Sequence, residues 1–336
     1  MSVKIAINGF GRVGRFITRI LAAEERNIEC VIINSRADSA TLAHLLEYDS
    51  VHGRFNLPVE YEEDALIING KRMAISRGIE DISDLPWGEM GVDIAIEVSG
   101  QFRDRESCAK HLTAGAKKVI LGAPGKGVDV MLVMGVNEES YDPENHHVIS
   151  NASCTTNCLT PVAKIIHQEF GIKRGLMTTI HSYTMDQRLL DGSHKDLRRA
   201  RAASMSMVPT TSGAARAVGE VMPELAGRMD GLAIRVPTPN VSLVDLTCEL
   251  EKETTAEEVN AALKAASENS LKGILQYIDT PLVSIDFTSS PYSAILDAPL
   301  TNMIDGKMLK VMVWYDNESG FSNRMVDLIN CIGAKL

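Results

Sequence analysis

The chain has 336 residues, 45% hydrophobic and 23% charged, with a formal net charge of −10. That length allows two domains with their own cores, and the acidic balance argues against a partner that is nucleic acid or an anionic membrane surface. No apolar run reaches membrane-spanning length, residue 3 already opens a strand and leaves no room for a signal peptide, and 6 scattered cysteines predict reduced thiols in a cytoplasm.

Residues 3–8 read as a buried strand running into Gly9-Phe10-Gly11-Arg12-Val13-Gly14, then a helix carrying Phe16, Ile17, Ile20 and Leu21. A G-x-G-x-x-G between a strand and a helix predicts a dinucleotide site, with pyrophosphate against the helix N-terminus. A second strand over residues 28–34 ends at Asn34-Ser35-Arg36, where an acid for the adenosine ribose is expected. Strands at 92–98, 118–121 and 130–134 and a helix at 105–112 continue the alternation. The first 150 or so residues therefore predict a mostly parallel, doubly wound sheet, with ligand beyond the carboxyl ends of its strands.

Next comes Ser150-Asn151-Ala152-Ser153-Cys154-Thr155-Thr156-Asn157-Cys158. Ser153 is a natural N-cap, and Leu159, Val162, Ile166 and Phe170 recur at helical spacing until Gly171 offers a stop. Cys154 then sits in the first turn, where free N–H groups and the helix dipole favour an anion, so its thiol is expected to ionise readily and act as nucleophile. Cys158, one turn deeper, is expected to be inert, and the C-x3-C spacing is not that of a zinc knuckle.

Further on, residues 176–183 read as a strand containing His181, and 186–201 as a long polar, basic loop. An alternating run over 232–251, a helix opened by a Thr254/Glu257 capping box, and strands at 283–287 and 310–314 predict a mixed or antiparallel sheet. An amphipathic helix over 323–332 closes the chain and is expected to pack back on the first domain. The fold class is thus α/β, a Rossmann-type domain over 1–153 joined by the returning segment at about 319–336, with an α+β catalytic domain over 154–318. Adjacent His146 and His147 point to opposite faces of a strand, and no metal site is predicted.

The Ser150–Cys158 stretch and the glycine loop, with His181-Ser182-Tyr183-Thr184, Arg188-Leu189-Leu190-Asp191, the 196–201 and 235–240 segments and Asp316-Asn317-Glu318, resemble phosphorylating glyceraldehyde-3-phosphate dehydrogenases along the whole chain. The resemblance implies a homotetramer oxidising glyceraldehyde 3-phosphate to 1,3-bisphosphoglycerate, with Cys154 as nucleophile and His181 as base. In that pairing His181 as imidazolium helps to hold the thiolate and as imidazole accepts the proton. It also implies that Thr184 and Arg235 hold the substrate's phosphate, that Ser153, Thr155, Arg199, Ser212 and Gly213 surround the attacking phosphate, and that Asn317 meets the nicotinamide carboxamide. Ser212, Met185, Gly122 and Ser319 depart from the commonest family residues, which bears on nicotinamide packing and subunit contact rather than on the reaction. The rival within the resemblance is erythrose-4-phosphate dehydrogenase, in which water captures the thioester; a non-catalytic Rossmann protein is disfavoured because Cys154, His181 and Arg235 are all present.

The glycine-loop residues Gly9, Gly11, Arg12, Val13 and Gly14 and the strand-end residues Asn34, Ser35 and Arg36 are the expected coenzyme contacts. Ser35 in place of an acid removes the group that repels a 2′-phosphate, and Arg36 offers a guanidinium to it. Ser193 stands where a proline is common in NAD-specific relatives and offers a hydroxyl from a neighbouring subunit. These substitutions predict NADP use with NAD tolerated; the competing reading gives the acid's task to Asn34 or Asp38 and keeps NAD.

Overall fold

A computed structural model describes residues 2–24 and 26–336, which form two compact units. Among the described residues, unit 1 comprises 2–24, 26–132, 138–152 and 322–336, and unit 2 comprises 133–137 and 153–321.

In unit 1 the described residues form a nine-stranded sheet. Its strands are β1 (Val3–Asn8), β2 (Ile28–Asn34), β3 (Val59–Glu62), β4 (Ala65–Ile68), β5 (Lys71–Ser76), β6 (Ile94–Glu97), β7 (Lys118–Leu121), β8 (Val130–Met131) and β9 (Val148–Ser150). The order is β3-β4-β5-β2-β1-β6-β7-β9-β8, parallel from β5 to β8 and antiparallel at the β3-β4-β5 edge. Ile5, Ala6, Ile7, Ile94, Ala95 and Ile96 are wholly buried, the unbroken apolar pattern of strands covered on both faces. The helices are α1 (Arg12–Ala23), α2 (Ser39–Glu47) and α3 (Arg105–Thr113).

Unit 2 holds an eight-stranded mixed sheet in the order β11-β12-β10-β13-β17-β15-β14, with β16 beside β17. These strands are β10 (Ile172–Ser182), β11 (Val208–Thr211), β12 (Met229–Val236), β13 (Ser242–Leu250), β14 (Leu275–Ile278), β15 (Ala294–Asp297), β16 (Asn302–Ile304) and β17 (Met308–Tyr315). The helices of unit 2 are α4 (Cys154–Phe170), α5 (Ala214–Val221) and α6 (Ala256–Glu268); the terminal α7 (Ser319–Gly333) begins in unit 2 and from residue 322 belongs to unit 1. Along β13 every second residue is buried, so one face of the sheet carries the core.

Several predicted elements differ. The 232–251 run breaks at Pro237 and Pro239 into β12 and β13, since proline cannot donate to a ladder. Residues 284–287 form a 3₁₀ turn rather than a strand, and the strand falls at β15. Only Val130–Met131 of the predicted 130–134 strand pairs, and α7 starts at Ser319 rather than Asn323. The capping box lies one residue later, on Thr255 and Glu258, because Thr254 spends its hydroxyl on the Glu258 carboxylate at 2.6 Å.

Candidate active site and dinucleotide pocket

Ser153 caps α4 as its sequence predicts, its Oγ accepting from Thr156 N at 3.0 Å, and Gly171 ends the helix at φ +71°. Cys154 is thereby fixed in the first turn, half-buried, with Sγ 3.5 Å from His181 Nε2. In the parallel pair of β10 and β12, His181 lies in register with Arg235, which brings both side chains to one face. Arg235 Nη1 stands 2.8 Å from His181 Nδ1 and donates to Ser182 O at 3.0 Å; Nδ1 is itself 2.7 Å from that carbonyl. A guanidinium only donates, so in this arrangement Nδ1 accepts and the ring proton faces sulfur on Nε2. Tyr315 lies edge-on to the imidazole, its hydroxyl bonded to Thr155 Oγ at 2.8 Å and Thr179 Oγ at 2.9 Å.

The electrostatics differ from the expected thiolate–imidazolium pair. Burial pushes the Cys154 thiol up, against the opposing pull of the Arg235 cation, the Thr155 hydroxyl and the first helical N–H groups. Burial, then the Arg235 cation, lowers His181 to about 3, so the imidazole is neutral near pH 7. With the imidazole buried and the thiol half-buried beside it, the uncharged pair costs least. Burial pushes Cys158 well above the usual thiol range and Cys108 to about 12.

Around this centre, Arg199 is ion-paired to Asp186 and donates from Nε to Thr210 Oγ at 3.0 Å. Ser212 Oγ accepts from Ala214 N at 3.2 Å at the start of α5, and Gly213, the N-cap, opens onto free space. Thr184 is half-buried and its carbonyl accepts from Gln187 N. Asn317 is buried with Oδ1 held by Ser182 Oγ at 2.7 Å and Ser242 Oγ at 2.9 Å, which leaves Nδ2 to meet a ligand. Val241, which precedes Ser242 in the chain, has φ +65°, a strained value for a β-branched residue. Tyr315, Asp186, Thr210 and Ser242 were given no role from sequence, and Ser182 entered only as part of the His181–Thr184 motif; the first four sit in ordinary alternating or polar runs. Ser193 is exposed in the loop, its carbonyl accepting from Arg188 Nε.

In unit 1 a cavity of about 830 Å³ opens at the carboxyl ends of the strands, lined by Asn8, the Gly9–Gly11 turn, Asn34, Ser35, Arg36 and Ser99 among others. The three glycines divide the work. Gly9 has φ +102°, and a Cβ there would lie 2.5 Å from the Ser99 backbone. A Cβ on Gly14 would strike the Gly9 carbonyl, whereas one on Gly11 would meet nothing. Gly11 caps α1 without a side-chain bond, and a helix start of this kind turns its first N–H groups, Val13 and Gly14 among them, toward an anion. The residues thus fit a dinucleotide. The Arg12 guanidinium is committed to Asp49 at 2.6 Å, and Arg36 is exposed. Asp38 is committed to capping α2, accepting from Thr41 N and Oγ1. Among the described residues no cluster of His, Cys, Asp and Glu suits a metal, and no helix is long and apolar enough to cross a membrane.

A largely parallel sheet with this loop and cavity is a Rossmann-type unit, which places the chain in the class of dinucleotide-binding proteins. Residues 3–105 match the family described as glyceraldehyde 3-phosphate dehydrogenase, NAD binding domain, and residues 153–317 match its C-terminal domain. A glyceraldehyde-3-phosphate dehydrogenase of Geobacillus stearothermophilus is 59% identical over 335 residues, covering 100% of this chain and 99% of that protein. Glyceraldehyde-3-phosphate dehydrogenases 1 and 2 of Bacillus subtilis (strain 168) are 55% and 52% identical, covering 100% of this chain and 99% and 98% of theirs. The chain belongs to the glyceraldehyde-3-phosphate dehydrogenase family.

Proposed function

We propose that the protein oxidises D-glyceraldehyde 3-phosphate to 1,3-bisphosphoglycerate with inorganic phosphate, in glycolysis or gluconeogenesis, residues 1–153 and the segment at about 319–336 serving the coenzyme and 154–318 the chemistry. The observation that carries this reading is the 3.5 Å contact between Cys154 Sγ and His181 Nε2, with Arg235 against the far nitrogen of the same ring. Cys154 attacks the aldehyde carbon and the carbonyl oxygen takes a proton, giving a hemithioacetal. His181 Nε2 then removes that hydroxyl proton as hydride leaves the carbon, which leaves a thioester on Cys154. The bound coenzyme supplies the acceptor for the hydride, and Asn317 Nδ2 holds its carboxamide. Inorganic phosphate, held by Arg199, Ser153, Thr155, Ser212 and Gly213, displaces the thiolate.

Arg235 has a choice of partners. When the substrate's C3 phosphate arrives beside Thr184, it competes with His181 for the guanidinium and offers a charge-assisted, bidentate contact. Once Arg235 turns away, the ring exchanges its proton with solvent, losing it from Nε2 and gaining one at Nδ1; Nδ1–H then donates to Ser182 O, and Nε2 is freed to accept the thiol proton. Phosphate recognition and activation of the pair are then one event.

Ser35 and exposed Arg36 support use of NADP⁺ beside NAD⁺, with Ser193 supplying a hydroxyl from a neighbouring subunit of a homotetramer. Exposed Leu189, Leu190, Leu197, Met205 and Met207 support that assembly, and six free cysteines accord with the cytoplasm. Steady-state kinetics with each dinucleotide, with and without phosphate, test the proposal. Turnover that needs phosphate supports it; equal turnover without phosphate means that water captures the thioester, as in the erythrose 4-phosphate enzyme.

A further inference from the structure

We propose that Asn34 is a specificity residue that accepts a hydrogen bond from the coenzyme's adenosine ribose 2′-hydroxyl, and that Glu97, Asn8, His111 and Trp87 are positioning residues that fix which way its amide points. This rests on the reading of the unit 1 cavity as the coenzyme site. The relay begins at Trp87, whose indole N–H can only donate. It lies 3.0 Å from His111 Nδ1, so Nδ1 accepts and the ring proton sits on Nε2, which faces Glu97 Oε2 at 3.0 Å. The other carboxylate oxygen accepts from Ser99 N at 2.8 Å and Ser99 Oγ at 2.5 Å. Glu97 Oε2 also lies 2.5 Å from the Asn8 amide, and a carboxylate that only accepts requires Nδ2 there. Asn8 Oδ1 is thereby turned to Asn34, whose contacting atom at 2.7 Å must be Nδ2. Asn34 Oδ1 is the atom that remains, at the end of β2 on the wall of the cavity beside Ser35 and Arg36.

Trp87, His111 and Glu97 are fully buried and Asn8 is 3% exposed, so water is not at hand to replace a lost partner and the polarity cannot reverse piecemeal. An acceptor at that place suits a hydroxyl, which can donate. It opposes a 2′-phosphate, which presents only acceptors to it. With the usual acid replaced by Ser35, discrimination against NADP falls to this uncharged carbonyl, opposed by Arg36; the site then takes both coenzymes, with a bias set by the relay.

The test is calorimetric binding of NAD⁺, 2′-deoxy-NAD⁺ and NADP⁺ to the full chain and to Glu97→Gln. The variant is isosteric. Ser99 N–H holds its oxygen, so its amide nitrogen faces Asn8 and, at the cost of a donor–donor contact with His111 Nε2–H, reverses Asn8 and then Asn34 and presents Nδ2 to the cavity. The wild type should bind NAD⁺ roughly fivefold tighter than 2′-deoxy-NAD⁺, the worth of one neutral hydrogen bond. In Glu97→Gln that ratio should fall to about one, and the preference should move toward NADP⁺ by at least the same factor. The double variant Glu97→Gln/Trp87→Phe lets His111 change tautomer and accept from the new amide, and should give the same shift. Asn34→Leu should weaken NAD⁺ and leave 2′-deoxy-NAD⁺ unchanged. Folded variants that bind all three with wild-type ratios would overturn the relay; a wild type that binds none of them would instead overturn the coenzyme site itself.

Discussion

The two units each bury a polar cluster, and the clusters are built on opposite terms. In unit 1 the chain from Trp87 through His111, Glu97 and Asn8 to Asn34 pairs each donor with an acceptor in one consistent direction. In unit 2 the His181 Nδ1 atom faces both an arginine donor and a carbonyl, and Arg235 Nε is buried with no partner among the described residues. Burial there also drives Cys154 and His181 toward their uncharged forms. A matched network holds one geometry and suits recognition of a fixed group. A mismatched one sits near a second arrangement, which suits a centre that must change partners when substrate arrives.

The largest effect expected comes from removing the sulfur. Cys154→Ser should abolish dehydrogenase activity while fold and dinucleotide binding persist, because the alkoxide is far less accessible than the thiolate. Peptide mapping after limiting iodoacetate should find Cys154 labelled first; labelling led by Cys158 or Cys108 would contradict the assignment, since burial raises both.

His181→Asn should lower turnover by roughly two to four orders of magnitude, the worth of a positioned base. The same variant reports on the mismatch through stability. The unfolded chain binds a proton at His181 near the ordinary 6.5, whereas the folded one resists until about 3. This contribution is therefore present above about pH 6.5 and lost as pH falls toward 3, at up to about 1.4 kcal/mol per unit. Denaturant titrations across that window should show a shallower loss in His181→Asn than in the wild type.

Arg235→Leu should reduce kcat/KM for glyceraldehyde 3-phosphate by about 10- to 100-fold more than for glyceraldehyde, because the charge-assisted contact is lost only for the former. The imidazole, relieved of the neighbouring cation, should also titrate at higher pH, which NMR of His181 would show. Equal losses with the two substrates would assign Arg235 a structural role. The smallest effect concerns the recognition side: Ser35→Asp should swing kcat/KM toward NAD⁺ by about tenfold or more, about 1.4 kcal/mol. A wild type that ignores NADP⁺ would remove the premise.

What could be read from the sequence had local causes. The glycine turn is visible because Gly9 must take a left-handed φ and Gly14 must press on its carbonyl, and both demands fall within six residues. The α4 start is visible because Ser153 caps its own helix three residues on, which places Cys154 with certainty. Continuous apolar runs gave away the inner part of β1 and β6, because strands buried on both faces leave no polar alternation to confuse the reading, while β2, with exposed Glu29, was placed by its distance from the glycine loop. The β3-β4-β5 edge, α2, α5, β14 and β15 were missed; β3 and α5 carry exposed or small residues whose place depends on partners elsewhere in the chain.

Only tertiary structure decided the chemistry of the two clusters. Glu97, a charge closing an apolar strand, was the one local sign of the relay, yet its partners lie 14 residues away at His111 and 89 at Asn8. The opposition of His181 to Arg235 likewise follows from the register of two strands 54 residues apart. Residue type and spacing determine which atoms can donate, accept or attack. Which of them share a buried contact, and so which protonation state and amide orientation each adopts, is set by strand pairing and by the exclusion of water around it.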